Sequence, residues 1–96
     1  MQSFNNKNFL SSLDHALVIL ETMSRGPLPV GLSEISRQTG FPKTTVHRIL
    51  LTLVRRGFLR KESDTGRYQL TLKFFEVGST AVSQLGIKDV AKPYLE

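Results

Sequence analysis

The sequence predicts a mainly helical domain with one small β-hairpin. Two observations predict this class, and a third indicates the kind of partner. Two short amphipathic segments within residues 32–57 are joined by a turn that contains Gly40. Two strand-like segments around an Asp-Thr-Gly turn follow directly. A basic region covers both features, since residues 37–73 carry nine Lys or Arg against two acids, whereas the remaining residues carry four bases against six acids. This asymmetry favours a polyanionic partner over a merely solvated surface.

Composition limits the function classes. A chain of 96 residues with 40% hydrophobic residues is long enough for one small domain. It contains no cysteine, which excludes disulfides and thiolate metal sites and favours a reducing, cytoplasmic location. The first residues lack the pattern of a secretory signal. The longest apolar run, residues 16–20, is too short to cross a bilayer, so we expect no membrane partner.

The first predicted helix begins near residue 11 or 12 and ends around residues 25–26. Pro27 and Pro29 exclude its continuation. Residues 1–8 are polar and rich in Asn, and residues 1–10 are predicted to form a flexible N-terminus. Residues 30–32 predict a strand of one or two residues. Four apolar side chains of the helix recur at i, i+3, i+4 and i+7 and are expected to face the core: Leu13, Ala16, Leu17 and Leu20.

The second and third predicted helices are the centre of the domain. Ser33 is placed to cap the second helix. Gly40 suits the left-handed conformation just past its end, and Pro42 suits the first position of the third helix. The third helix carries one apolar stripe, expected to be buried: Val46, Ile49, Leu50 and Leu53.

The opposite face of the third helix is polar and basic. A helix with this division, held by a glycine turn against a short partner, is how a helix-turn-helix presents side chains to the DNA major groove. Arg48 can bind a guanine or a phosphate, and both remain open. Arg55 and Arg56 either contact the DNA backbone or complement the helix dipole. The predicted groove contacts of this helix, with the phosphate contact at its start, are Lys43, Thr44, Thr45, His47 and Arg48.

A β-hairpin behind a recognition helix is the wing of a winged helix-turn-helix, predicted here over residues 11–70. Leu59, Tyr68 and Leu70 are its expected inward side chains. Its basic tip is expected to lie along a phosphate strand or in the minor groove. The alternative is an ordinary solvated hairpin. Three side chains are expected to point to solvent and to add affinity without sequence information: Arg60, Lys61 and Arg67.

Residues 71–86 predict a linker helix, and residues 87–96 predict the start of a connection to a further C-terminal domain. Apolar positions cover more than half of the linker helix, whereas a monomer's surface helix needs one stripe. The additional apolar side chains are expected to be buried either against a second subunit or within the same subunit. Two copies would place their recognition helices about 34 Å apart on a pseudopalindromic operator. The predicted dimerisation residues are Phe74, Phe75, Ala81 and Val82.

Other classes fit less well. The acids are scattered, there is no glycine-rich phosphate loop, and His15 and His47 lie on different helices, so we expect no enzyme, no cofactor and no metal. Met23 is expected in the core. A winged helix that binds protein is the main alternative, and it predicts a neutral or acidic third helix. RNA binding fits less well, because the sequence lacks the exposed aromatic platform that unstacked bases require.

Three motifs carry a resemblance to a known family: LSEISRQTGFPKTTVHRIL, GRYQL and the terminal VAKPYLE. Over residues 12–96 the chain resembles the IclR family of bacterial transcriptional regulators. The resemblance implies a winged helix-turn-helix that binds double-stranded DNA as a homodimer, or as a tetramer at full length. It also implies a small-molecule effector, bound by a C-terminal domain that this chain lacks. Thr71 stands where the family usually has Gly, which bears on how the linker helix begins.

Overall fold

A computed structural model describes residues 9–85, and these residues form a mainly helical fold with one hairpin. The predicted fold class is confirmed. The segment 1–8, predicted to be flexible, and the connection predicted over residues 87–96 lie outside the described residues. The described elements, in chain order, are α1 (Ser11–Ser24), α2 (Leu32–Thr39), α3 (Lys43–Arg55), β1 (Leu59–Lys61), β2 (Tyr68–Leu70) and α4 (Lys73–Leu85).

Helix α1 buries a different stripe from the one predicted. Ile19 and Met23 are buried, whereas Leu13 and Leu17 are 56% and 52% exposed. The prediction for those two leucines was wrong, because residues 16–20 are all apolar and periodicity alone does not choose among several possible faces. Packing against α2 and α3 selects the face that contains Ile19 and Met23.

The hairpin gains a third, one-residue strand from the loop between α1 and α2. Strands β1 and β2 are antiparallel, with Leu59 opposite Leu70 and Lys61 opposite Tyr68. Val30 then pairs with Tyr68 on the other side, through hydrogen bonds of 3.0 and 2.8 Å. The strand predicted within residues 30–32 is therefore confirmed at Val30. It ties the start of the helix-turn-helix to the wing.

The core lies where α1, α2 and α3 meet the inner face of the hairpin. The apolar stripe of α3 is confirmed: Val46, Ile49 and Leu50 are buried, and Leu53 packs against them. Leu59 and Tyr68 close the core from the hairpin side, as predicted. The core as a whole is formed by Ile19, Met23, Val30, Ile35, Val46, Ile49, Leu50, Leu59 and Tyr68.

Helix α4 leaves this core and exposes most of its length. Phe74 packs against the core, but no residue of α4 is buried, and Phe75 is 71% exposed. At 3.6 residues per turn, Phe74, Phe75, Ala81 and Val82 lie on one side of the helix. Among residues 9–85, no helix is both long enough and apolar enough to span a membrane.

Candidate nucleic-acid interface

The turn between α2 and α3 is held by a short network of side-chain hydrogen bonds. The Ser36 hydroxyl donates to the carbonyl oxygen of Phe41 at 2.6 Å. The Thr39 hydroxyl donates to the Ile35 carbonyl oxygen at 2.8 Å and accepts from the Phe41 N–H at 3.2 Å. Gly40 has φ 80°, the left-handed conformation predicted for it. These bonds fix the angle between α2 and α3.

The Phe41 ring also holds this turn against α1. The rings of His15 and Phe41 lie 4.2 Å apart, centroid to centroid. His15 is half-buried, and its contact belongs to the packing of the turn. Among residues 9–85 there is no group of three or more His, Cys, Asp or Glu side chains that could hold a metal ion.

The start of α2 is capped by Glu34, and the predicted cap at Ser33 is wrong. The helix begins two residues earlier than expected, at Leu32 with Gly31 as its N-cap residue, which places Ser33 inside the first turn. The Glu34 carboxylate reaches back and accepts the Gly31 N–H at 2.9 Å. This is the reach-back half of a capping box, with a glycine at the N-cap position.

Helix α3 begins at Lys43, so Pro42 is its N-cap residue and not, as predicted, its first helical residue. The Pro42 carbonyl oxygen accepts the first intrahelical bond, from the Val46 N–H at 3.0 Å. The N–H groups of Lys43, Thr44 and Thr45 therefore precede the helical ladder. The first turn contains no acidic residue and no side-chain cap. This end of α3 suits an anion.

The predicted reading face of α3 is open to solvent. Lys43, Thr44, His47 and Arg48 are all exposed. Thr45 differs, because it is half-buried and lies with Arg48 in a groove of about 500 Å³ between α1 and α3. The structure therefore brings four of the five predicted side chains onto one open surface and places Thr45 at its edge.

Two further exposed residues, Leu51 and Arg37, were not among the predicted site residues. Leu51 is 47% exposed and follows Thr44, His47 and Arg48 at helical spacing, on the face that carries them. An apolar side chain there can contact a thymine methyl group. The sequence could have shown the exposure of Leu51, because this apolar residue lies outside the buried stripe of Val46, Ile49, Leu50 and Leu53. Arg37 is exposed on α2, the helix that crosses the DNA backbone in this motif.

The basic side chains of the wing occupy three different environments. Arg60 lies opposite Gln69, on the face of the hairpin that points away from the core, and is exposed. Lys61 is also exposed but lies on the same side as Tyr68, with its Nζ 5.7 Å from the centre of the Tyr68 ring. The prediction that both point to solvent is confirmed, although only Arg60 is fully on the outer face.

Arg67 is exposed but paired. Its Nη2 lies 3.3 Å from Glu34 Oε1, and its Nη1 donates to the Pro29 carbonyl oxygen at 3.4 Å. The guanidinium thus joins the wing to α2 through the carboxylate that caps that helix. The sequence did not show this contact, because the two residues are 33 positions apart.

The tip of the wing is acidic, which corrects the prediction of a basic tip. The loop between the strands contains Glu62 and Asp64, and the bases lie on β1 and directly before β2. The Thr65 hydroxyl donates to the Glu62 carboxylate at 3.2 Å and accepts the Arg67 N–H at the same distance. The basic side chains of the wing therefore lie along the side of the hairpin and not at its tip.

Comparison with known proteins agrees with this geometry. Residues 12–63 match the sequence profile described as the IclR helix-turn-helix domain. The chain is 39% identical over 85 residues to the DNA-binding transcriptional repressor YiaJ of Escherichia coli, which covers 88% of this chain and 30% of that protein. It is 43% identical over 65 residues to the HTH-type transcriptional regulator KipR of Bacillus subtilis, covering 68% of this chain and 26% of that protein.

A solved structure shows the same architecture. The crystal structure of an IclR family transcriptional regulator from Brucella abortus superposes with a TM-score of 0.80 at 35% identity. The match covers 97% of this chain and 35% of that one. The chain thus spans about a third of the length of the relatives it matches.

Proposed function

Because the chain belongs to the IclR helix-turn-helix family of transcriptional regulators, we propose that it binds double-stranded DNA with sequence specificity, as one half of a dimer. The relatives are named as transcriptional repressors and regulators, so the prediction that the chain is not an enzyme is confirmed at the level of the family. The proposal assigns DNA binding to residues 11–70 and the link between subunits to residues 71–86.

The open face of α3 is the observation that carries this proposal. Thr44, His47 and Arg48 are exposed in successive turns, while the opposite stripe is buried and holds the helix rigidly. Hydroxyl and guanidinium groups are donors that match base edges in the major groove. Lys43 and the free N–H groups at the start of α3 suit a phosphate, because the helix dipole favours an anion there. Thr45 is proposed to contact the backbone beside the groove.

The wing supplies affinity in this proposal. Arg60 and Lys61 are exposed and carry charge on the side of the hairpin, where they are proposed to contact phosphates. Arg67 was predicted to do the same. Since its guanidinium is paired with Glu34, we assign it instead to holding the wing at a fixed angle to α2.

The dimer in this proposal rests on α4. Its apolar side, with Phe75 71% exposed and Leu85 68% exposed, is larger than a monomer's surface helix requires. Cover by a second copy would place two α3 helices about 34 Å apart, one DNA turn, on a pseudopalindromic site. The relatives are about three times as long as their matched parts, which supports the further proposal that a tetramer and a small-molecule effector depend on a domain outside this chain.

Fluorescence anisotropy with labelled duplex DNA tests the proposed reading role of α3. The protein would first be used to select its preferred site from random duplexes. We expect Thr44→Ala combined with Arg48→Ala to abolish the preference for the selected site over random DNA. Losing one good bidentate contact alone removes about 1–3 kcal/mol of discrimination.

The matched control for that experiment is Ser33→Ala combined with Arg25→Ala, which removes one hydroxyl and one exposed guanidinium outside the reading face. It should leave the preference intact. If the α3 double variant keeps the preference, α3 is not the reading helix. If the wild-type protein selects no site and binds no duplex at low salt, the protein-binding alternative replaces the proposal.

Sedimentation velocity tests the proposed dimer. Phe75→Asp places a charge on the apolar side of α4 and should shift the protein from dimer to monomer at micromolar concentration. Thr80→Asp adds the same charge on the polar side of the same helix and should leave the dimer intact. A Phe75→Asp variant that sediments as a dimer would exclude this residue from the interface.

A further inference from the structure

The side-chain hydrogen bonds between the start of α4 and the segment that follows α3 are made by one residue, Thr71. Its hydroxyl donates to the Gly57 carbonyl oxygen at 2.6 Å and lies 3.1 Å from the Phe58 carbonyl oxygen. The same hydroxyl oxygen accepts the Lys73 N–H, the first of α4, at 3.3 Å. The Thr71 N–H donates to the Phe58 carbonyl oxygen at 3.1 Å. Thr71 therefore joins the segment that follows α3 to the first residue of α4.

Phe58 continues this connection to the recognition helix. Its N–H donates to the carbonyl oxygen of Leu53, in the last turn of α3, at 2.9 Å. Its ring lies 4.9 Å from the ring of Phe74, centroid to centroid, and 5.5 Å from the Lys73 ammonium. The path from α3 to α4 is thus Leu53, Phe58, Thr71 and the first turn of α4, with a contact at every step.

The direction of α4 depends on this junction. Among the described elements, none packs along the length of α4, and none of its residues is buried. A helix held only at its root acts as a lever. With 13 residues, α4 is about 20 Å long, so a tilt of about 10° at Thr71 moves its far end by about 3.5 Å. That displacement is close to the rise of one DNA base pair, about 3.4 Å.

We propose that Thr71 is a positioning residue that sets the angle between α3 and α4, and that it thereby determines the spacing between the two half-sites that a dimer reads. The inference rests on the proposed function, since it requires a dimer that joins through α4. It differs from that function in what Thr71 controls. Thr71 does not affect which bases are read, because it lies away from the open face of α3. It affects only the distance between the two half-sites.

Selection from random duplex DNA, followed by sequencing, tests this proposal directly, since it reports the bases of each half-site and their spacing separately. Thr71→Val keeps the shape of the side chain and removes the hydroxyl. Thr71→Ser keeps the hydroxyl and removes the methyl group. We expect the wild type and Thr71→Ser to select one spacing. We expect Thr71→Val to select the same half-site bases with a spacing that is shifted or spread by about one base pair.

Thr22→Val is the matched control. The Thr22 hydroxyl also donates to a backbone carbonyl oxygen, that of Val18 at 2.8 Å, but within α1 and away from α4. This variant should keep both bases and spacing.

Three results would overturn the inference. If Thr71→Val keeps the wild-type spacing, the hydroxyl does not position α4. If Thr71→Val loses the half-site bases as well, Thr71 supports α3 itself and has no separate control of spacing. If the wild type selects single half-sites without a partner site, the proposed dimer is wrong, and the inference about Thr71 is wrong with it. The wild-type result alone distinguishes this failure from a failure of the inference about Thr71 itself.

Discussion

Arg60→Ala and Arg67→Ala remove the same charge from the same hairpin, and we expect them to act differently on DNA binding. Arg60 is exposed on the outer face of the wing, whereas the Arg67 guanidinium lies 3.3 Å from a Glu34 carboxylate oxygen. Only a base that neutralises a phosphate releases counterions. The salt dependence of affinity therefore distinguishes a DNA contact from a structural pair.

The expected magnitude follows from one phosphate contact. Each contact contributes about 0.9 to the slope of log K against log salt. Between 50 and 200 mM salt, a fourfold change, that contribution equals a factor of about 3.5 in affinity. Raising the salt concentration from 50 to 200 mM should therefore weaken DNA binding by Arg60→Ala about 3.5-fold less than it weakens DNA binding by the wild type. Arg67→Ala should keep the wild-type slope.

Arg67→Ala should still weaken binding, and equally at every salt concentration. The Arg67–Glu34 pair is partly exposed, with side chains 46% and 37% accessible, and such pairs contribute up to about 1 kcal/mol. If the wing loses up to about 1 kcal/mol of stabilisation, the affinity for DNA should fall by up to about fivefold.

Glu34→Gln is the reciprocal variant. The amide oxygen can still accept the Gly31 N–H, which Glu34 now accepts at 2.9 Å, but the carboxylate charge is gone. Arg67 then keeps its 3.4 Å bond to the Pro29 carbonyl oxygen but loses the carboxylate that neutralises its charge. We expect it to bind a phosphate, so the slope should become steeper by up to about 0.9. Anisotropy titrations of the four proteins at five salt concentrations measure all of these slopes. If Arg67→Ala flattens the slope as much as Arg60→Ala does, the pair with Glu34 opens on DNA, and the reasoning is refuted.

Two further pairs of substitutions test the fold itself, by urea denaturation and, for Gly78→Ala, by circular dichroism. Leu50→Ala should lower the free energy of unfolding by about 2–5 kcal/mol, because this side chain is fully buried, whereas Leu51→Ala, 47% exposed, should change it by less than about 0.5 kcal/mol. Equal effects would contradict the assigned orientation of α3. Gly40→Ala should cost about 1–2 kcal/mol through its positive φ alone, since an added Cβ would contact nothing within 4 Å. Gly78→Ala also meets no neighbour but lies within helix α4, so it should increase helix content, as measured by circular dichroism.

The sequence predicted best those features that depend on local chemistry. The Gly40 turn, the α3 stripe, the hairpin and the Val30 strand all follow from residue type and spacing over a few positions. The faces of α1 did not, because five consecutive apolar residues fit any orientation and only packing chooses among them. The start of α2 was misplaced for a similar reason, since Ser33 and Glu34 both suit the first turn of a helix.

The functional surface was predictable in part. Exposure of Thr44, His47 and Arg48 follows from the period of the buried stripe. The pairing of Arg67 with Glu34 does not, because it depends on how the wing folds back towards α2. Charge counting treats every base in a region as equal, whereas the structure separates Arg60, which is exposed on the outer face, from Arg67, which is bound within the protein.

The bridge between Val30 and Tyr68 has a consequence for how the domain opens. Two hydrogen bonds there close a loop, residues 30–68, that contains the whole helix-turn-helix. Closing a loop of this length costs about 3 kcal/mol or more in chain entropy, which only the assembled core can offset. Val30 and Tyr68 are both buried, so the assembled core shields their amides from solvent. We expect the Val30 and Tyr68 amides to exchange only through global unfolding, so that α2, α3 and the wing are lost or kept together.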